Sequence, residues 1–82
     1  MDDASLEEAI LFALRRAPGS RAHALADAVG LPRTNFGRRL VSRLQPPLRR
    51  LHDAGLIDED SGRYNLTEAG RRRLAARAAG RR

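Results

Sequence analysis

The stretch from Leu44 to Gly70 constrains the fold more than any other part of the chain, and it reads LQPPLRRLHDAGLIDEDSGRYNLTEAG. Leu44, Leu48 and Leu51 recur at the spacing of one helix face. Gly55 follows where a left-handed residue commonly ends a helix. The stretch is therefore predicted to open with an amphipathic helix that ends just before Gly55.

Two short apolar segments follow this helix. Leu56-Ile57 and Tyr64-Asn65-Leu66 are separated by turn residues at Asp60-Ser61-Gly62, which predicts a hairpin. Thr67 is then expected to cap a further helix. A ribbon this short is not stable alone and has to pack on helices. The sequence therefore predicts a mainly α domain with a small two-stranded β-ribbon.

The motif LxxLxxxGLI followed by YxLTxxG resembles the end of the DNA-binding domain in bacterial winged helix-turn-helix repressors, the PadR-like and MarR-like groups in particular. In PadR-like proteins a leucine, an aromatic residue, a proline and another leucine open the recognition helix. Here the run is Leu44-Gln45-Pro46-Pro47-Leu48, with Gln45 in place of the aromatic residue. The resemblance implies a winged helix-turn-helix that binds double-stranded DNA as a repressor-type transcriptional regulator.

Length and composition limit the alternatives. The 82 residues suffice for a single domain, 1–82, whose ends at 1–4 and 80–82 are expected to fray. There is no cysteine for a disulfide or a thiolate metal site. No apolar run approaches the about 20 residues needed to span a bilayer, and the acidic start does not fit a secretory leader. We expect no membrane association and a cytoplasmic location.

The charge is unevenly placed along the chain. All 16 basic residues are arginine. Residues 1–31 hold three arginines and five acids, a net charge of −2, whereas residues 32–82 hold thirteen arginines and five acids, a net charge of +8. Such asymmetry favours a nucleic acid or another polyanion as the partner of the second half.

Two helices are predicted before the central stretch. Ser5 and Glu8 form a capping box for a first helix that runs to about Arg16, and Pro18-Gly19-Ser20 ends it and caps a second helix over 21–29. The inward residues are expected to be Leu6, Ile10, Ala13, Leu14 and Ala17 on the first helix and Ala22, Leu25, Ala26 and Val29 on the second, with His23 on its polar side.

The position of the DNA-reading helix is left between two alternatives. Ala26, Gly30, Phe36 and Leu40 have the spacing of a helix-turn-helix, which predicts a reading helix over 33–45, broken near Pro46 and followed by a short helix. Ser42 also starts a capping box, which predicts a reading helix over 43–54 with the prolines in its first turn. We favour a break near Pro46 over one straight helix.

Either alternative exposes side chains suited to duplex DNA. In the major groove, arginine pairs with guanine and Asn or Gln with adenine, while other arginines bind phosphate. The predicted base-reading residues are Asn35, Arg38, Arg39, Arg43 and Gln45. The predicted phosphate contacts are Arg33, Arg49, Arg50 and Arg63, and Thr34 and Ser42 share the exposed face.

The predicted hairpin tip has the wrong charge for DNA. Asp58, Glu59 and Asp60 would repel phosphate, and only Arg63 stands behind them. We expect the tip to touch DNA weakly, through Arg63, or to face a partner protein. The alternative function is therefore a winged-helix module for nucleoprotein assembly or protein interaction that binds nucleic acid non-specifically.

Apolar residues outside the first stripe predict a homodimer. Leu11 and Phe12 point away from that stripe, and Leu74 is the one large apolar residue of the last helix. These three residues are the predicted dimer interface. We expect no catalytic, metal or cofactor site, because no nucleophile lies with a base and an orienting group, and no ligand spacing or phosphate loop occurs.

Overall fold

Four α-helices and a small antiparallel sheet make up the computed structural model, which describes residues 3–31 and 41–79. Phe36, Leu40 and the rest of 32–40 lie outside the described residues. The elements in chain order are α1 (Asp3–Arg16), β1 (Ser20–Arg21), α2 (Ala22–Ala28), a 3₁₀-helix (Val41–Leu44), α3 (Gln45–Asp53), β2 (Ile57–Asp60), β3 (Arg63–Leu66) and α4 (Glu68–Ala79). The mainly helical prediction is confirmed.

The core is built from leucine and isoleucine side chains of every helix and of β2. The largest fully buried side chains are Ile10, Leu14, Leu25, Leu44, Leu51, Ile57, Leu74 and Pro47. The predicted inward stripe of α1 is confirmed for Leu6, Ile10, Ala13 and Leu14 and is wrong for Ala17, which is exposed because α1 ends at Arg16. Leu11 is buried as well, because it lies in the groove between α1 and α4 that Leu74 also lines.

Two predicted helix caps are wrong. Helix α1 begins at Asp3, so Ser5 lies inside the helix and not at its start. Ser20 belongs to β1, and its hydroxyl donates to the carbonyl oxygen of Ala17 at 2.5 Å. Arg21 precedes α2 and provides no side-chain hydrogen bond to it. Helix α2 is therefore held by burial of Leu25 and Ala26 and not by a side-chain cap.

Helix α3 ends as the sequence predicts. Gly55 has a φ of +75°, in the left-handed region that glycine adopts without strain. The N–H of Gly55 donates to the carbonyl oxygen of His52, and that of Leu56 donates to Leu51, both at 3.0 Å. This pair of bonds is the Schellman motif, which turns the chain sharply and buries Leu56 against the core. The same pair of bonds ends α2, from Gly30 and Leu31.

The start of α3 lies next to the predicted break. A break was expected near Pro46, and the change from 3₁₀-helix to α-helix falls between Leu44 and Gln45. Both prolines lie inside the first turn of α3, where the missing N–H would have no helical acceptor. Leu44 precedes the helix without a side-chain cap, so the predicted capping role of Ser42 is wrong.

The hairpin is confirmed, but the sheet has three strands and not two. β2 and β3 pair from Ile57 with Leu66 to Asp60 with Arg63. Ser61 and Gly62 connect them with φ values of 54° and 82°, which is the backbone of a type I′ turn. β1 adds Ser20 opposite Tyr64 and Arg21 opposite Arg63, giving the order β1-β3-β2. The two residues of β1 carry no strand pattern, so the sequence did not reveal them.

Helix α4 is fastened to the end of α3 through Thr67. The predicted cap is confirmed, since the N–H of Gly70 donates to Thr67 Oγ1 at 3.1 Å. The Thr67 hydroxyl donates to the carbonyl oxygen of Gly55 at 2.6 Å, and its N–H donates to that of Leu56 at 3.1 Å. In the described residues, no helix is long and apolar enough to cross a membrane.

We predict that Gly70→Ala destabilises the fold although it favours helix. A methyl group at Gly70 would overlap the carbonyl oxygen of Leu56, the acceptor for Thr67. Overpacking usually lowers the free energy of unfolding by about 1–3 kcal/mol. The higher helix propensity of alanine offsets up to about 1 kcal/mol of this loss, and we expect a net decrease. Urea denaturation followed by circular dichroism measures it. Arg73→Ala, at an exposed position of α4, is the control, and a Gly70→Ala protein as stable as wild type would contradict the prediction.

Candidate nucleic-acid interface

Helix α3 presents one side to the core and the opposite side to solvent. Its buried residues are Pro47, Leu48 and Leu51. Gln45, Arg49 and His52, at positions i, i+4 and i+7, are exposed together on another face. The core therefore holds α3 from behind and leaves a row of polar and cationic side chains facing outward.

That row forms one wall of an open groove between α3 and the hairpin, which we call the α3 groove. Its volume is about 350 Å³, and its lining residues are Gln45, Leu48, Arg49, His52, Asp53, Glu59 and Tyr64. Glu59 and Tyr64 are directly paired across β2 and β3. They are two residues from Ile57 and Leu66 along their strands, so all four share one sheet face. Strand pairing thus sets the hairpin wall of the groove.

Charges of both signs line the α3 groove. Arg49 carries a positive charge on α3, and Asp53 and Glu59 carry negative charges. Glu59 Oε2 accepts a hydrogen bond from the N–H of Gly62 at 2.9 Å, so this carboxylate is directed at the hairpin turn. Glu59 therefore stabilises the turn. Asp53 lies four residues after Arg49 on α3, so its carboxylate and the Arg49 guanidinium are neighbours on the same helix face.

Arg50 does not share the surroundings of Arg49. Successive helical residues differ by about 100°, which directs Arg50 to the other flank of α3, next to α1. Its Nε donates to Glu7 Oε2 at 3.0 Å, with the arginine side chain 46% exposed and the glutamate 24% exposed. The predicted phosphate contact at Arg50 is thus engaged in an ion pair within the chain.

Arg63 is also engaged within the chain. Its Nη1 donates to the carbonyl oxygen of Gly19 at 3.2 Å, across the β1–β3 pair. Arg21 lies directly opposite Arg63 on one side, and Asp60 lies opposite it on the other. Sequence reasoning missed Arg21 because its place beside Arg63 depends on the third strand.

Most described arginines of α4 also make contacts within the domain. Arg72 pairs with Glu68 at 2.9 Å one turn away, and Arg77 pairs with Glu8 of α1 at 2.9 Å. Arg71 Nη1 donates to the carbonyl oxygen of Leu66 at 3.3 Å. Arg71 and Arg77 therefore connect α4 to β3 and to α1, whereas the pair of Arg72 with Glu68 lies within α4.

Two of the predicted DNA contacts, Gln45 and Arg49, line the α3 groove together. Ser42 and Arg43 are exposed on the 3₁₀-helix that precedes α3. Arg50 and Arg63 are described as well, but each is bonded within the chain. The predicted contacts that lie outside the described residues are Arg33, Thr34, Asn35, Arg38 and Arg39.

Two of the three predicted interface residues belong to the core. Leu11 is 3% exposed and Leu74 is 2% exposed within a single chain, so neither can present an apolar surface to a second subunit. The prediction failed because helix α4 covers the flank of α1 that the sequence pattern left open. Phe12 is half-buried and lines a shallow groove with Ala9, Ala13, Arg16, Ala17 and Ala28.

Comparisons of the chain with protein families, with curated proteins and with solved structures returned no match. Among residues 3–31 and 41–79, no group of three or more histidine, aspartate and glutamate side chains could hold a metal ion. The function of the α3 groove is therefore inferred from its own side chains and their surroundings.

We predict that Leu11→Ala and Leu74→Ala weaken folding of the single chain. Removing a buried leucine side chain costs about 2–5 kcal/mol of unfolding free energy. Phe12→Ala is the control, with a smaller loss because its ring is already partly in water. Urea denaturation at two protein concentrations tenfold apart gives the test. If the loss of unfolding free energy changed with protein concentration, Leu11 and Leu74 would belong to an interface between subunits.

Proposed function

We propose that this domain is a winged helix-turn-helix that binds double-stranded DNA sequence-specifically and acts in the cytoplasm as a repressor-type regulator. The observation that carries the proposal is the outer side of α3, where Gln45 and Arg49 stand exposed beside the hairpin. A reading helix needs this arrangement, because one side must be fixed by the core while the other enters the major groove.

The order of the elements supports a winged helix. Helix α3 ends at Asp53, Gly55 turns the chain into the hairpin, and Thr67 precedes α4 after the hairpin. β1 pairs with β3 and so fastens the hairpin to the connection between α1 and α2. A hairpin fixed on both sides keeps a constant position beside α3, as a wing requires.

The side chains of α3 suit base recognition by the later of the two predicted reading helices, 43–54. Arg49 can fork onto the O6 and N7 of guanine, and Gln45 can pair with adenine. Ser42 and Arg43 precede them on the 3₁₀-helix, and we propose that they extend the contact to neighbouring bases or phosphates. Arg33, Thr34, Asn35, Arg38 and Arg39 keep their proposed roles as further DNA contacts.

We propose that the hairpin contributes little to DNA binding. Asp58 and Asp60 point to the same sheet face, by the alternation along β2, and both are exposed. Arg63 shares that face and is bonded to Gly19. A phosphate near this tip would meet more negative than positive charge. Any contact between this part of the domain and DNA is therefore confined to Arg63 and Arg21.

We propose that the active form is a homodimer. Of the three residues predicted at its interface, only Phe12 keeps that proposed role. Its ring is half-buried and stands beside small alanines of α1 and α2. A two-fold dimer would present two α3 helices to successive major grooves, about 34 Å apart. No cofactor enters the proposal.

A second candidate function is supported by the acidic hairpin tip, Asp58 to Asp60. Exposed carboxylates at this position suit a basic partner protein, as in a module for nucleoprotein assembly. Sequencing the genomic fragments that the purified protein retains separates the two functions. A recovered motif indicates a regulator, and retention without a motif indicates an assembly module.

We predict that duplex binding depends steeply on salt. If about six arginines neutralise phosphates, the logarithm of the association constant falls with the logarithm of salt concentration at a slope of about −5. Fluorescence anisotropy with a labelled duplex, between low and moderate salt, measures the slope. A slope near zero, or no binding at low salt, would exclude duplex DNA as the partner.

We predict that Arg49→Ala weakens specific binding more than Arg72→Ala. Loss of a bidentate base contact costs about 1–3 kcal/mol and relaxes the preference at one base pair. Arg72 pairs with Glu68 on the surface of α4 and serves as the matched control. Competition between the selected motif and single-base variants provides the readout. Equal losses for the two variants, with the preference unchanged, would remove Arg49 from base recognition.

A further inference from the structure

Glu7 links α1 to the DNA-reading helix through Arg50. The two residues are 43 positions apart in the chain, and Arg50 Nε donates to Glu7 Oε2 at 3.0 Å. Arg49, the next residue along α3, lines the groove instead. The two neighbouring arginines of α3 therefore have different surroundings, and Glu7 neutralises the one at the edge of the proposed DNA-binding side.

Both members of this ion pair remain in contact with water. The Arg50 side chain is 46% exposed and that of Glu7 is 24% exposed. Solvent and salt screen such a pair, so it holds its partners weakly. DNA phosphate is a strong competitor, because arginine binds it with two parallel hydrogen bonds and its neutralisation releases condensed counterions.

We infer that Glu7 competes with DNA phosphate for Arg50 and thereby lowers the affinity of the domain for duplexes of any sequence. The inference rests on the proposed function. It assigns Arg50 as a phosphate contact that forms only when the Glu7 pair opens. Because phosphate carries no sequence information, the effect is the same for a target site and for random DNA.

The chain provides its own control in the neighbouring residue. Glu8 also pairs with an arginine of another helix, Arg77, at 2.9 Å, and it is 19% exposed. The partner of Glu8 lies on α4, however, and not on α3. Glu7→Gln and Glu8→Gln remove the same charge from adjacent positions of α1, and they differ in the arginine that they release, Arg50 on α3 or Arg77 on α4.

The test measures binding of a labelled 20-base-pair duplex of random sequence by fluorescence anisotropy over a range of salt. One added phosphate contact steepens the salt slope by about 0.9 and tightens binding at low salt roughly three- to tenfold. We expect this change for Glu7→Gln and a much smaller one for Glu8→Gln. Denaturation of each variant, followed by circular dichroism, establishes that both are folded.

Arg50→Gln and the double variant Glu7→Gln with Arg50→Gln complete the experiment. In the Arg50→Gln background, Glu7→Gln should tighten duplex binding no more than Glu8→Gln tightens it in the wild type. A larger gain in affinity there, equal gains for the two glutamate variants in the wild type, or weaker binding by Glu7→Gln would each overturn the inference. If the wild type and every variant fail to bind duplex at low salt, it is the proposed function that fails.

Discussion

Thr67 joins three elements at one point, and the position of the α3 groove depends on that joint. Its hydroxyl reaches the carbonyl oxygen of Gly55, at the end of α3, and its N–H reaches Leu56, at the start of the hairpin. The same hydroxyl accepts the N–H of Gly70 in α4. The N–H of Gly70, in the first turn of α4, would otherwise lack a helical partner. The end of one helix therefore fixes the beginning of the next, with the hairpin held between them.

This joint accounts for the geometry of the candidate site. Because Gly55 turns the chain sharply and Leu56 is buried, the hairpin has to run alongside α3 and cannot extend away from it. The pairing of Glu59 with Tyr64 then forms a wall opposite Arg49. On the other flank, Glu7 ties Arg50 to α1. The polar side of α3 is thus bounded by the hairpin on one flank and by α1 on the other.

Local chemistry made much of the fold predictable, and long-range contacts limited the rest. Gly55, the Asp60-Ser61-Gly62 turn and Thr67 act through hydrogen bonds within a few residues, so the sequence identified the end of α3, the hairpin and the start of α4 correctly. β1 has no pattern of its own and exists only because β3 pairs with it. Leu11 and Leu74 looked available for a partner subunit because periodicity on one helix does not show which neighbour covers it.

Leu31 and Leu44 hold the chain in the core on either side of residues 32–40. Leu31 is buried at the end of α2, and Leu44 is fully buried just before α3. Because both leucines are buried, the core itself sets the positions of the end of α2 and the start of α3. A change of sequence between these two leucines can therefore leave α3, the hairpin and the joint at Thr67 in their mutual arrangement.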